Sequence, residues 1–187
     1  EILAVLNKSK QLLITKYEGL YLAELQKVIA KVNIFKNHFA SLDIRQDHSV
    51  HLKTIEFILK ENNLISQDIS EISEADLIHL LTNEYVKIPE LDCEDAVVND
   101  TIKNIAQLKD LQKANGVAGC HRYIISNSED IFSVLFVFGL MRWINKSEAF
   151  DFDIIPLYET MHGMEQCGQI TDSILKNKVY RAHVASR

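Results

Sequence analysis

Three short β-rich runs in this chain end in polar residues. LDI (42–44) runs into Arg45-Gln46-Asp47, YIIS (123–126) into Asn127-Ser128-Glu129, and DIIPL (153–157) into Tyr158-Glu159-Thr160. In barrels and open α/β sheets, ligands sit beyond the carboxyl ends of parallel strands. A guanidinium at one such end and a carboxylate at another suit an anionic substrate and a divalent cation. Arginine grips phosphate or carboxylate with two parallel bonds. Glutamate holds Mg²⁺, an ion that keeps several waters and takes one or two carboxylates plus substrate oxygens. Arg45 and Glu159 are therefore the candidate anion clamp and metal ligand, expected to open onto the same side of the sheet. Spacing alone leaves other readings open: Arg45 paired with Asp43 or Asp47, and Glu159 as an acid at a helix N-terminus. His48 and His51 stand at i and i+3 at a helix start, but no third or fourth metal ligand is near them in sequence. The chain carries no nucleophile-and-base pattern and no phosphate-cradling glycine loop.

The elements that must position these residues are mostly helical. Gly and Pro number only 6 and 2, as long helices require. Residues 1–14 and 17–37 read as helices, the second with a buried stripe of Leu20, Leu22, Leu25, Val28, Ile29 and Val32. Phe39, Leu42 and Ile44 then alternate as in a short strand. Helices follow over 48–61, with Leu52, Ile55, Ile58 and Leu59 on one face, and over 74–83, opened by Ser73 with Asp76. Pro89 marks a connection to a long amphipathic helix over 94–114, which Asn115-Gly116 ends. After the second strand, Ser128-Glu129-Asp130 puts a cap and two acids before a helix over 129–145 that is apolar on most sides and so buried on most sides. A last helix covers 162–177. Strands separated by helical crossovers imply a parallel arrangement.

Composition narrows the function. Of 187 residues, 47% are hydrophobic and 25% charged, which is ordinary for a globular protein and argues against disorder. A net charge of −6 argues against a nucleic-acid partner, which needs a basic face. Cys93, Cys120 and Cys167 are far apart and show no CxxC spacing, so three free thiols are expected. The opening EILAVLNKSK lacks the pattern of a signal peptide. The apolar run Ile131–Ile144 contains Ser133 and Arg142 and is too short to span a bilayer. A cytoplasmic, soluble protein with no membrane partner is expected.

Three motifs in order then resemble one family. LDIRQDHSVH (42–51) resembles the LDIRQES…H segment of phosphoenolpyruvate carboxylases, YIISNSED (123–130) is similar to their YVISM…SD segment, and IIPLYET (154–160) to their VxPLFET segment. The long apolar helix after the second motif and the helices before the first also fit. The resemblance implies a (β/α)8-type barrel embedded in extra helices. It implies an enzyme that adds bicarbonate to phosphoenolpyruvate with Mg²⁺ or Mn²⁺, giving oxaloacetate and phosphate. By position, Glu159 matches a metal ligand, Arg45 a catalytic arginine facing the substrate phosphate, and Leu157 part of the apolar substrate pocket. His51 matches the histidine closing the first motif, with no role assigned. Departures are Asp47-His48 for Glu-Ser, Asn127 for Met, Tyr158 for Phe, and a shortened loop after YIIS.

The expected fold is α/β and helix-dominated: a partial (β/α) barrel with three short parallel strands near 41–45, 122–126 and 153–157, and long amphipathic helices. Residues 1–187 are expected to be one domain, a fragment of a longer phosphoenolpyruvate carboxylase that stops before the family's Gly-Tyr-Ser-Asp-x-x-Lys-Asp-x-Gly segment, the source of a second metal carboxylate and a lysine. Such a fragment is expected to be inactive alone, to hold no metal, and either to self-associate through open strand edges or to have an edge covered by a relocated helix. The competing reading is a helical interaction module whose strand-end residues are structural.

Overall fold

The computed structural model describes residues 1–36, 40–90, 95–147 and 149–187; Phe39 and Cys93 lie outside the described residues. The chain divides into two compact units, Glu1–Ser41 and Leu42–Arg187.

In the first unit, α1 (Ile2–Lys16) packs against α2 (Leu22–Phe35). The second helix starts five residues later than the apolar spacing suggests. Glu18, Gly19 and Tyr21 have φ of 51°, 79° and 58°, a left-handed turn that a right-handed helix cannot contain. The expected buried stripe is only half-buried. Leu22, Leu25, Ile29 and Val32 are intermediate, Leu20 and Val28 are exposed, and neither helix has a fully buried residue. Two helices packed on each other bury one seam, not a whole apolar face.

The second unit holds β1 (Asp43–Asp47), α3 (His48–Glu61), α4 (Glu74–Asn83), α5 (Ala96–Asn115), β2 (Arg122–Ser126), α6 (Phe132–Asn145), β3 (Asp153–Pro156), α7 (Met161–Lys176) and α8 (Lys178–Ala185). The strands form a parallel sheet in the order β1-β2-β3. Every crossover is helical: α3, α4 and α5 link β1 to β2, and α6 links β2 to β3. A parallel pair needs such a connection because its strands run the same way.

Register decides which side chains face which way. The rows Ile44–Tyr123–Ile154 and Gln46–Ile125–Pro156 share one face, and the rows Arg45–Ile124–Ile155 and Asp47–Ser126 share the other. Tyr123, Ile125 and Ile154 are buried, whereas Ile124 and Ile155 are half-buried and Arg45 is exposed. The helical layer therefore covers the first face. Its centre is α6, buried continuously from Ser133 to Trp143 and in contact with α3, α4, α5 and β3. Arg142, fully buried in that helix, donates from Nη1 to the carbonyls of Leu81 (3.0 Å) and Glu84 (3.1 Å) at the end of α4. It thereby satisfies carbonyls that a helix end leaves without intrahelical partners. Gln112 of α5 donates to the carbonyls of Cys120 (2.8 Å) and Asp151 (2.7 Å), holding the segments that lead into β2 and β3.

Helices α3 and α4 match their expected bounds because their caps are explicit: Asp47 accepts from the Ser49 N–H, and Ser73 accepts from the Asp76 N–H. Three expectations need correction. β1 lies two residues later than 41–45, because its ladder with β2 runs on to Asp47↔Ser126; Arg45 and Gln46 are strand residues, not a tip. α6 begins at Phe132, not 129, with Asp130 accepting from the Ser133 N–H at 3.0 Å. The chain after residue 177 forms α8, which apolar spacing did not reveal; Asn177 caps it, accepting from the N–H groups of Val179 and Tyr180.

The first turn of α7 comes close to the loop after β2. A Cβ added at Gly163 would lie 2.7 Å from the Ser128 carbonyl oxygen and 3.6 Å from the Tyr158 Cα. Gly168, on the same helix, has nothing within 4 Å. Gly163→Ala should destabilise the protein by about 1–3 kcal/mol, since backbone must move. Gly168→Ala should stabilise it by about 0.5–1 kcal/mol through helix propensity. Thermal unfolding of the two variants checks the contrast.

His51 is fully buried in α3, and its Nε2 lies 2.9 Å from the Tyr123 hydroxyl. Burial, reinforced by neighbouring His48, pulls its pKa from 6.5 down to about 3. The folded protein keeps this ring neutral where the unfolded chain protonates it. Its contribution to stability is therefore complete above pH 6.5 and declines as pH falls from 6.5 toward about 3, by up to about 1.4 kcal/mol per pH unit. His183, whose pKa is also lowered by burial, adds to the same trend. Urea unfolding across this range should show a shallower pH slope in His51→Gln.

Candidate functional site at the carboxyl edge of the sheet

The polar residues at the strand ends are stitched into one line. Asp47 closes β1 and caps α3: its Oδ1 accepts from the Ser49 N–H (2.8 Å) and hydroxyl (2.6 Å). Its Oδ2 accepts from Asn127 Nδ2 (2.6 Å) and the Ser126 hydroxyl (3.2 Å), one strand over. These bonds, the Ser49 hydroxyl foremost, hold the Asp47 carboxyl down at about 2, so it is ionised at neutral pH. Asn127 follows β2 with φ 53°, a left-handed conformation that asparagine tolerates better than most residues. Its backbone N–H donates to Glu159 Oε1 at 3.1 Å. The β2–β3 ladder also continues past the strand ends. Leu157 N–H donates to the Ile125 carbonyl (2.9 Å), and Ser128 N–H donates to the Leu157 carbonyl (3.2 Å).

Arg45 projects from the open face of the sheet and is exposed. Neither partner suggested by spacing holds it. Asp43 pairs with Arg122, 2.8 Å away and directly opposite in register, and Asp47 is committed to Ser49, Asn127 and Ser126. Among the described residues the Arg45 guanidinium makes no ion pair and no hydrogen bond. Ile155 stands in its register row two strands away, about 10 Å across the sheet. Leu157, two residues beyond Ile155 and so on the same face, is 38% exposed.

Glu159 is exposed just before α7. Capping of that helix falls to Thr160, whose hydroxyl accepts from the Gly163 N–H at 2.9 Å. The Glu159 side chain turns instead toward Asn127. Its second oxygen has no partner among the described residues. The open face thus presents a cationic fork and an apolar surface of Ile124, Ile155 and Leu157, and the carboxyl edge a half-engaged carboxylate. Such a surface can seat a small anion with a carbon skeleton while leaving a ligand position for a cation.

The histidine pair lies elsewhere in function. His51 is committed to Tyr123, and His48 stacks on Phe136 with ring centroids 5.7 Å apart. Among the described residues no group of three His, Cys, Asp or Glu side chains is placed to hold a metal ion. Cys120 and Cys167 are free thiols. No described helix is long and apolar enough to cross a membrane. Sequence reasoning missed Asn127 as part of the site. The available signal was its residue type, an αL-tolerant asparagine placed directly after a strand.

The family model for phosphoenolpyruvate carboxylase matches residues 1–187. The chain is 29% identical over 178 residues to the phosphoenolpyruvate carboxylase of Trichormus variabilis, covering 89% of this chain and 17% of that protein. It is 28% identical over 197 aligned positions to the Gloeobacter violaceus protein of the same name, covering 98% and 20%. To that of Xanthomonas campestris pv. campestris it is 28% identical over 166, covering 87% and 18%. The chain therefore spans about a fifth or less of the length of these curated relatives. A family match over its whole length, joined to a parallel sheet that carries the three motifs on neighbouring strands, places the chain in the phosphoenolpyruvate carboxylase family.

Proposed function

We propose that these 187 residues act as one stretch of a longer phosphoenolpyruvate carboxylase, which joins bicarbonate to phosphoenolpyruvate to give oxaloacetate and phosphate in the cytoplasm. The observation that carries this reading is the uncommitted Arg45 guanidinium on the same open face as Leu157, together with a Glu159 carboxylate after β3 that has one oxygen unclaimed among the described residues. Arg45 binds the phosphate of the substrate, and its planar fork fixes the orientation of the transferring group. Leu157, with Ile124 and Ile155, forms an apolar floor that keeps water from the carbon that is carboxylated. Glu159 donates one carboxylate oxygen to a divalent cation, Mg²⁺ or Mn²⁺, while Asn127 steadies the other. The cation supplies positive charge against the negative charge that develops on the substrate oxygen as phosphate leaves. A single carboxylate from this chain suffices only if substrate, water and other residues complete the shell.

The test is made in the full-length protein with a coupled assay for oxaloacetate. Arg45→Ala and Glu159→Gln should each lower kcat/KM by about 100-fold or more. Arg45→Lys, which keeps the charge but loses the fork, should recover only part of the loss. Unchanged carboxylation in both Arg45→Ala and Glu159→Gln would favour a structural role for the strand-end residues, as in an interaction module.

The 187 residues expressed alone should form no oxaloacetate and should bind Mn²⁺ with a Kd on the order of millimolar or weaker, because one carboxylate cannot hold a reluctantly dehydrating ion. The same preparation should self-associate, since β1 and β3 each have one strand partner among the described residues and such edges recruit other chains. Sedimentation equilibrium and a Mn²⁺ titration check these outcomes.

A further inference from the structure

We infer that Asn127 is a positioning residue for Glu159, and that it works through a side-chain tether to Asp47. This inference rests on the assignment of Glu159 as a cation ligand. Asn127 does two things at once. Its backbone N–H donates to Glu159 Oε1 at 3.1 Å, and its Nδ2 donates to Asp47 Oδ2 at 2.6 Å. With φ of 53°, the N–H and the side chain of Asn127 are set so that one meets Glu159 and the other Asp47. The second is made to a carboxylate that is fixed independently, because the other Asp47 oxygen is held by the first turn of α3. Asn127 is thus clamped at its side chain by the end of β1 and presents its main chain to the end of β3. It spans 80 residues of sequence on one side and 32 on the other.

The consequence is directional. With Oε1 engaged, the Glu159 carboxylate is restrained at one oxygen while the other has no partner among the described residues. Without the tether, the Ser126–Asn127 peptide is no longer tied to the end of β1 through the Asn127 amide, its N–H is free to tilt away, and Glu159 becomes a less restrained exposed side chain. Ser126 donates to the same Asp47 oxygen at 3.2 Å, so loss of the Asn127 amide leaves that carboxylate partnered. The cost of breaking the tether therefore falls on Glu159 and not on the cap of α3.

Mn²⁺ binding to the full-length protein, read from the electron paramagnetic resonance signal of the free ion, tests this without relying on turnover. Asn127→Val, which resists the left-handed conformation and lacks the amide, should raise the Mn²⁺ Kd about 10-fold or more, as loss of an outer partner of a metal ligand does. Asn127→Gly, which keeps the backbone conformation and loses only the tether, should weaken binding less, by about 3-fold. Asn127→Asp sets two carboxylates against each other and should weaken binding at least as much as Asn127→Val. Combining it with Asp47→Asn reverses donor and acceptor while keeping a residue that caps α3; this double exchange should restore most of the lost affinity. Melting temperatures measured in parallel should change little in Asn127→Gly. If Asn127→Val and Asn127→Asp bind Mn²⁺ as the wild type does, or if the double exchange restores nothing, the tether has no positioning role. Glu159→Gln serves as the reference. Undiminished Mn²⁺ binding in that variant would refute the ligand assignment itself, whereas its loss together with unaffected Asn127 variants would refute only the present inference.

Discussion

The structure of the larger unit depends on the register of β2. It is the strand with a partner on each side, and both ladders are parallel. A slip of one residue in either ladder would bring Tyr123 and Ile125 to the open face and drive Ile124 into the helical layer. The alternation of burial along Arg122–Ser126, intermediate and buried by turns, is the mark of that constraint. The same register decides that Arg45, Ile124, Ile155 and Leu157 share a face and that the three polar ends meet along one edge. Placement of chemistry here follows from pleat and pairing, with helices α3 and α6 making one face of the sheet unavailable to ligands.

Much of this was legible from the residues because it is written locally. Asp47 and Ser73 announce the starts of α3 and α4 through side chains that reach backbone N–H groups two or three positions on. The apolar run of α6 has no polar face wide enough for solvent, and the helix is buried accordingly. The order of helices and strands between residues 42 and 157 implies parallel pairing before any contact is known. What was not legible depends on partners. The end of β1 is set by how far β2 can follow it, so LDI looked like the strand and RQD like its tip. The stripe on α2 has the spacing of a core face, yet the unit to which it belongs has two helices among the described residues. α8 is short and polar on much of its surface, and its one clear local signal is the Asn177 cap.

The site divides in the same way. Arg45, Leu157 and Glu159 could be named from three ordered motifs; the structure puts Arg45 at the middle of β1, on the open face, and Leu157 and Glu159 just beyond β3. Spacing could not decide whether Arg45 was committed to a neighbour. Cross-strand pairing decides it, since Asp43 finds Arg122 on the adjacent strand and Asp47 turns to Ser49 and Asn127. Nor could spacing show that the Glu159 carboxylate reaches Asn127, because that bond joins residues 32 apart through a loop whose backbone is left-handed. The hydrogen bonds that fix the edge are long-range, and a single sequence does not display them. His51 is the converse case: a residue type that invites a metal reading but serves as a neutral, buried link between α3 and β2.

The central claim is that one face and one edge of this sheet hold the phosphate and the cation of the same substrate complex. A crystal structure of the full-length protein with Mn²⁺ and a non-reactive phosphoenolpyruvate analogue tests it most directly. The account predicts an anomalous Mn²⁺ peak in direct contact with the Glu159 carboxylate and the analogue's phosphate within hydrogen-bond reach of the Arg45 guanidinium. A Mn²⁺ ion bound away from Glu159, or a phosphate seated on the helical side of the sheet, would contradict it.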